Sequence, residues 1–185
     1  TTEIYTLSLH DALPISQTYL EQREDGTARL VLKGHGDMLL GAGASDSEHI
    51  NGRAGLGTLA ANTAQALRQR DIASVTLVYD DSLFGSDRWP SGIAELDSDH
   101  VYYAPTASMA VDGGRNWNGA NPADPDVFSA YPALSTQPAR EAAQVFAQRL
   151  AEQGIAVNSS VEQGTVPEGT SPIAAVHSAD RKSVV

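Results

Sequence analysis

Two close pairs of side chains in this sequence are of the types that carry acid–base chemistry: Asp80 with Asp81, and His35 with Asp37. Adjacent carboxylates can act as acid and base, although an Asp after a strand more often accepts backbone N–H groups in a turn. His35 and Asp37 would supply only about two of the four ligands that a structural metal ion needs. The pattern therefore favours structural roles for both pairs, and we predict neither a metal site nor a cofactor.

A serine nucleophile activated by lysine needs that lysine about one helical turn after the serine, so that the amine can take the hydroxyl proton. The only lysines are Lys33 and Lys182, and neither has a serine three residues before it. Cysteine is absent, which excludes disulfides and a thiolate nucleophile. The sequence therefore contains neither a serine with a lysine at this spacing nor a cysteine nucleophile.

Glycines are concentrated after a predicted strand, in the loop that begins at Gly34 and ends at Gly43. Bare backbone can approach an anion closely, so a loop of this kind can bind a small ligand. The spacing of these glycines fits neither the dinucleotide-binding nor the Walker pattern, which favours a structural turn. A free-standing α/β module that binds a small ligand through this loop is the alternative function.

The charge of the chain limits its classes of partner. The 185 residues include 12 Lys plus Arg and 23 Asp plus Glu, and the resulting net charge of −11 is repelled by phosphate backbones and anionic lipid surfaces. No apolar run approaches the roughly 20 residues that span a bilayer. We predict a protein of one domain that binds no nucleic acid and has no membrane span.

Hydrophobic periodicity predicts a first β-α-β unit. A strand at 28–33 precedes an amphipathic helix at 56–67, and a short β-branched run at 74–79 is typical of a buried strand. Two large aromatic residues, Phe84 and Trp89, follow this second strand, and we expect both to pack in the core.

A second β-α-β unit follows near the end of the chain. Thr136 is the predicted N-cap of a helix with Pro138 in its first turn, and Gly154 ends that helix before a strand at 155–157. The aperiodic stretch 116–136 predicts a long surface loop or the remnant of an inserted subdomain. The predicted fold class is therefore α/β, with a small sheet flanked by helices.

The two ends of the chain differ from the middle. Residues 1–16 show no sustained period and resemble the out-of-frame translation of a library adapter, and residues 181–185 have a similar character. The first segment also lacks the basic start and continuous apolar stretch of a signal peptide. We expect residues 17–180 to form the domain and both ends to be non-native or disordered tails.

One long run carries the strongest functional signal. Residues 76–112 read TLVYDDSLFGSDRWPSGIAELDSDHVYYAPTASMAVD and resemble the D-alanyl-D-alanine carboxypeptidase/endopeptidase family, the low-molecular-mass class C penicillin-binding proteins. Three further segments resemble other parts of the same family, in the same order along the chain: LVLKGHGDMLL (30–40), PAREAAQVFAQRLAEQGIAV (138–157) and SPIAAVHSAD (171–180). The resemblance covers residues 26–180 and implies an α/β accessory domain, inserted between the first two catalytic motifs of the family.

The resemblance also implies what the chain lacks. In the family an SxxK motif lies upstream of this domain and SxN and KTG motifs lie downstream, and none of the three occurs in this sequence. We therefore expect a fragment, inactive by itself, of a serine-type enzyme that cleaves the D-Ala-D-Ala peptides of peptidoglycan. The implied partners are the stem peptide and the catalytic domain of the parent chain, and the implied location is extracytoplasmic, in the periplasm or at the cell wall.

Two residues are implied to contact the substrate. In the family an acidic residue and an aromatic residue five positions later, just before an Ala-Pro dipeptide, hold the diaminopimelate side chain of the stem peptide. Asp97 and Tyr102 match that pattern, ahead of Tyr103 and the Ala-Pro dipeptide at 104–105. A carboxylate can pair with the side-chain ammonium group, and an aromatic face can cover its methylenes. The alternative is a solvated loop acid beside a packed tyrosine.

Overall fold

A computed structural model describes residues 15–22, 27–99, 101–118, 132–158 and 160–178. The strands are β1 Ile15–Gln22, β2 Ala28–Gly34, β3 Asp37–Leu40, β4 Ser74–Asp80, β5 Met109–Val111, β6 Ala156–Val157, β7 Glu162–Gln163 and β8 Pro172–His177. The helices are α1 Leu56–Arg68, α2 Ile93–Leu96 and α3 Pro138–Glu152, and a 3-10 turn spans Asp112–Gly114. The α/β fold class predicted from the sequence is confirmed.

The parallel part of the main sheet is built from the two predicted β-α-β units. The sheet has six strands in the order β6-β4-β2-β1-β8, and β7 also pairs with β4. β2 runs parallel to β4 across α1, and β4 runs parallel to β6 across α3. Parallel neighbours need a crossover of about a dozen residues or more, which each helix supplies.

The antiparallel part of the sheet was not predicted. β1 lies between β2 and β8 and is antiparallel to both, so that Ser16 pairs with a neighbour on each side. The strand begins at Ile15, within the segment 1–16 that we set apart as a tail. Residues 1–14 and 181–185 lie outside the described residues.

Helices α1 and α3 pack against each other and bury one apolar stripe each. The stripe of α1 consists of Leu56, Leu59, Ala60, Thr63, Ala64 and Leu67. The stripe of α3 contains Ala139, Ala142, Ala143, Phe146 and Leu150. Both join Leu30, Leu32 and Leu77 of the sheet in one core. Burying each large side chain is worth roughly 1.5–3 kcal/mol, so this core holds the central strands in register.

No helix in the described part of the chain is long and apolar enough to cross a bilayer.

β1 presents polar as well as apolar residues to the helices. Ser16 and Thr18 are fully buried, and the Thr18 Oγ1 atom lies 2.9 Å from the Thr63 Oγ1 atom of α1. A buried hydroxyl pair of this kind is tolerated because each oxygen finds a partner. The polar residues on the buried face also explain why an apolar alternation does not mark this strand in the sequence.

Two local predictions were wrong. Phe84 is 43% exposed rather than buried, because it belongs to a loop beyond the end of β4, while Trp89 is half-buried. The N-cap of α3 is Gln137 rather than Thr136, and no side chain caps it. The Gln137 N–H instead donates to Ser135 Oγ at 2.9 Å, which fixes the entry of the chain into the helix. Within the stretch 116–136, residues 119–131 lie outside the described residues.

Candidate functional site

The loop at 81–108 leaves the carboxyl end of β4 and returns as β5, which pairs in parallel with β3 in a second, two-stranded sheet. Ser108 fixes this return. Its Oγ donates to the Asp80 carbonyl at 3.1 Å, and its own carbonyl accepts the Gly36 N–H at 2.7 Å. Ligands of open α/β sheets bind beyond the carboxyl ends of the strands, so this loop is the candidate functional site.

Arg88 holds the two ends of the loop together. Its Nη1 atom donates to Asp81 Oδ1 at 3.1 Å and to the Thr106 carbonyl at 2.9 Å, and its Nε atom donates to the Gly85 carbonyl at 2.6 Å. Its Nη2 atom donates to the Asp81 carbonyl. A guanidinium with this many partners sets the loop geometry. Sequence reasoning missed Arg88 because nothing in the local pattern links it to residues 18 positions later.

Asp97 closes the tip of the loop from inside. It follows α2 directly and is only 5% exposed. Its Oδ1 accepts the Val101 N–H at 2.8 Å, and its Oδ2 accepts the N–H groups of Tyr102 at 2.9 Å and Tyr103 at 3.0 Å. Charge-assisted hydrogen bonds to an ionised carboxylate are stronger than neutral ones, so Asp97 determines the conformation of residues 101–103.

Tyr102 projects outward from the turn that Asp97 closes. Its side chain is 77% exposed, and Leu96, Val101 and Tyr103 beside it are also exposed. The structure therefore brings the two predicted substrate-contacting residues into one loop, where they have different environments. Asp97 is turned toward the backbone of the loop, whereas the ring of Tyr102 is open to a ligand.

The paired carboxylates at the end of β4 are each bound to different neighbours. Asp80 accepts hydrogen bonds from the N–H and Oγ of Ser82 and from the Val166 N–H, and Lys33 Nζ lies 3.6 Å away. Burial raises the pKa of Asp80, but these hydrogen bonds and the lysine charge outweigh burial and leave its pKa below the usual value. Asp81 instead receives the Ser108 N–H at 2.6 Å. Both contact sets support structural roles.

His35 and Asp37 are not brought together as a metal or acid–base pair. The His35 Nδ1 atom lies 3.2 Å from the Ile15 carbonyl. Asp37 is 1% exposed, and its Oδ2 accepts the Ser178 hydroxyl at 2.5 Å. Burial raises the pKa of Asp37, and the hydrogen bonds from Ser178 and Leu39 only partly offset this effect. The described residues contain no group of three or more side chains placed to hold a metal ion.

The predicted loop from Gly34 to Gly43 contains strand β3, and its glycines pack on the protein itself. A Cβ atom on Gly34 would lie 2.3 Å from the Ser108 carbonyl oxygen, so that only glycine fits there. The Gly43 carbonyl accepts the Gly57 N–H at 2.7 Å in the first turn of α1. The N–H groups of Gly36 and Gly41, which an anion would need as donors, are bound to the carbonyls of Ser108 and Ala54, and this favours a structural turn over a ligand-binding loop.

Comparison with known proteins places this fold. The crystal structure of penicillin binding protein 4 from Haemophilus influenzae superposes with a TM-score of 0.54 and 15% sequence identity, covering 90% of this chain and 46% of that one. The chain therefore has the fold of a mixed α/β part of that protein and spans less than half of its length. A search of curated proteins gave no significant match. The model of the D-Ala-D-Ala carboxypeptidase 3 (S13) family matches residues 15–129 and 118–185, so the chain belongs to this family.

Proposed function

We propose that this chain is the α/β accessory domain of a serine-type D-Ala-D-Ala carboxypeptidase/endopeptidase that acts on peptidoglycan stem peptides. The family match, which extends from residue 15 to residue 185, is the observation that carries this proposal. The sequence contains no SxxK, SxN or KTG motif, so the serine chemistry would belong to a separate catalytic domain of the parent protein. The parent enzyme would act outside the cytoplasmic membrane, where peptidoglycan lies.

The loop at 92–104 would contact the diaminopimelate side chain of the stem peptide. The exposed ring of Tyr102 offers an apolar face for the methylenes of that side chain. Asp97 would keep the ring in position through the three N–H groups that it accepts, and its negative charge would attract the side-chain ammonium. The inward orientation of Asp97 supports a larger role in positioning than in direct contact.

Titration with a synthetic stem pentapeptide tests this proposal. We expect weak binding of the peptide that contains meso-diaminopimelate, followed by chemical-shift changes of the Val101, Tyr102 and Tyr103 amides. Tyr102→Ala should weaken binding about five- to ten-fold, because one aromatic contact of this kind is worth about 1 kcal/mol or more. Tyr103→Ala is the matched control, since it removes a neighbouring tyrosine that the proposal does not use. Equal losses in both variants, or no response of these amides, would contradict the assignment.

Labelling with fluorescent penicillin tests the division of the parent enzyme into two parts. A chain without the reactive serine should give no covalent adduct after denaturing electrophoresis, whereas an active penicillin-binding protein in the same gel should be labelled. A covalent adduct at any serine of this chain would refute the separation of the catalytic motifs from this domain.

A further inference from the structure

A cleft lies beside the candidate functional site, on the side of α3. It has a volume of about 410 Å³ and is lined by the base of the loop at 85–88, by residues 105–107 and by the first turn of α3. The cleft contains polar groups that the proposed contact with diaminopimelate does not use. Their chemistry indicates which ligand the cleft would accept.

Tyr79 supplies the first of these groups. Its side chain lines the cleft and is 9% exposed, and its hydroxyl has no hydrogen-bond partner among the described residues. Among the described residues, Ser16 Oγ is the only side-chain nitrogen or oxygen that is both shielded from solvent and without a hydrogen-bond partner. The Tyr79 hydroxyl also has no described partner, so it is not shielded and remains accessible from the cleft. Burial raises the pKa of Tyr79 above its ordinary value; the Arg140 charge lowers this pKa, but the Asp81 charge raises it further. The hydroxyl is therefore protonated at neutral pH. It is therefore an available donor.

The first turn of α3 supplies further donors. Pro138 has no N–H group, and the N–H groups of Ala139 and Arg140 have no described partner, because Gln137 carries no capping side-chain bond. The N-terminus of a helix of this length carries a partial positive charge that favours an anion. The guanidinium of Arg140 gives only Nη1 to a described partner, Gln137 Oε1 at 3.2 Å. All of these groups lie at one cleft.

The charge of the cleft favours a ligand with a single negative charge. Arg88 also lines the cleft, but its guanidinium is neutralised by Asp81 and committed to the carbonyls of Gly85 and Thr106. Among the described residues, the Arg140 guanidinium, whose only described partner is the neutral Gln137 amide, and the N-terminus of α3 remain. Their combined charge of roughly +1.5 balances a monoanion more closely than a dianion.

From these contacts we infer that the cleft binds the carboxylate of a small molecule or peptide end, with Tyr79 and the N-terminus of α3 donating hydrogen bonds and Arg140 providing the charge. The planar, paired donors of arginine match a carboxylate well. The volume leaves room for a ligand of amino-acid or dipeptide size beyond the carboxylate itself. This binding does not depend on Tyr102, so it can hold whether or not the loop contacts diaminopimelate.

Titration of the full chain with N-acetylglycine tests the inference, with N-acetylglycinamide as the neutral analogue and inorganic phosphate as the dianion. We expect N-acetylglycine to shift the amide resonances of Ala139 and Arg140 with low-millimolar affinity, and the amide analogue to bind at least ten-fold more weakly. No shift of these two resonances, equal binding of the neutral analogue, or tighter binding of phosphate would overturn the inference. The net charge of −11 makes non-specific attraction of an anion unfavourable, so any saturable binding reports a local site.

Substitutions assign the contributions of the individual groups. Arg140→Gln should weaken binding of N-acetylglycine at least five-fold, and Tyr79→Phe should weaken it about three-fold through loss of one hydrogen bond. Arg70→Gln removes an exposed arginine that follows the end of α1 and should leave binding unchanged. Circular dichroism would identify a Tyr79 variant that fails to fold, and Arg140, which is exposed, keeps the test decisive in that case. Unchanged affinity in Arg140→Gln would refute the site.

Discussion

Replacement of Asp97 by alanine should release the tip of the candidate loop without unfolding the domain. The carboxylate accepts three backbone N–H groups from Val101, Tyr102 and Tyr103, and alanine offers none of these bonds. The side chains of these three residues are all exposed, so their N–H groups can turn to water once the carboxylate is lost. We therefore expect a local opening of the loop rather than a global loss of structure.

The size of the effect follows from the hydrogen bonds that are lost. A hydrogen bond to a charged group contributes about 1.5–3 kcal/mol net of its exchange with water. The three bonds share one carboxylate and their contributions do not add, so we take about 2 kcal/mol as the local cost of losing the set. A change of this size corresponds to an increase of about 30-fold in the opening equilibrium of the loop.

Amide hydrogen exchange measures this opening directly. In the Asp97→Ala variant, exchange at Val101, Tyr102 and Tyr103 should accelerate about 30-fold, while the amides of α1 and β4 should keep their protection. Asp99→Ala is the matched control, because it removes an exposed acidic side chain two residues later in the same loop. Its exchange rates should equal those of the unmodified chain.

Unchanged exchange at the three amides in Asp97→Ala would show that the carboxylate does not hold the loop. A similar acceleration in Asp99→Ala would show that the loop responds to net charge rather than to specific hydrogen bonds. Either result would remove the structural basis for the outward position of Tyr102.

Three further predictions concern stability. Gly34→Ala should destabilise the domain by about 3 kcal/mol or more in urea unfolding, because the new Cβ would overlap the backbone of Ser108. Gly169→Ala is the control: it lies in an open turn with positive φ and should cost only about 1 kcal/mol. The pKa of Asp37 is raised in the folded state, so the folded protein binds the Asp37 proton more tightly than the unfolded chain and loses stability as the pH rises from 3.8 through that raised pKa. Chemical denaturation across this pH range should show a smaller loss of stability for Asp37→Asn than for the unmodified chain. An equal loss in both would contradict the prediction. Thr18→Val should leave the buried Thr63 hydroxyl without a partner and cost about 1–3 kcal/mol, while the double valine variant should recover part of that loss, and simple additivity of the two single variants would argue against the pair.

The central elements could be predicted from the sequence because their signals are local. The stripe of α1 repeats every three or four residues, and the run VTLVY within β4 is rich in apolar and β-branched residues. Either pattern is visible within one window of the chain, since a helix or a buried strand needs a continuous set of apolar positions. Gly154 likewise ends α3 with a positive φ of 81°, as its position after the helix indicated.

β1 and β8 could not be predicted in the same way. Their pairing joins residues that are more than 150 positions apart, such as Ser16 and Val176, and the buried residues of β1 include Thr18, whose hydroxyl pairs with that of Thr63 in α1. Such a strand is stabilised by its neighbours rather than by its own apolar pattern. The local hydrophobic pattern therefore did not predict β1.

The amino-acid sequence by itself determined the fold class, the two β-α-β units, the family resemblance and the absence of the serine motifs, because each can be recognised from the order and spacing of residues along the chain. Only the tertiary structure decided how the site residues are oriented. It turned Asp97 inward and Tyr102 outward, since the hydrogen bonds of a loop depend on its conformation. It also gathered Tyr79, Arg88 and Arg140 around one cleft, since strands and helices that are distant in the chain meet only when the core packs.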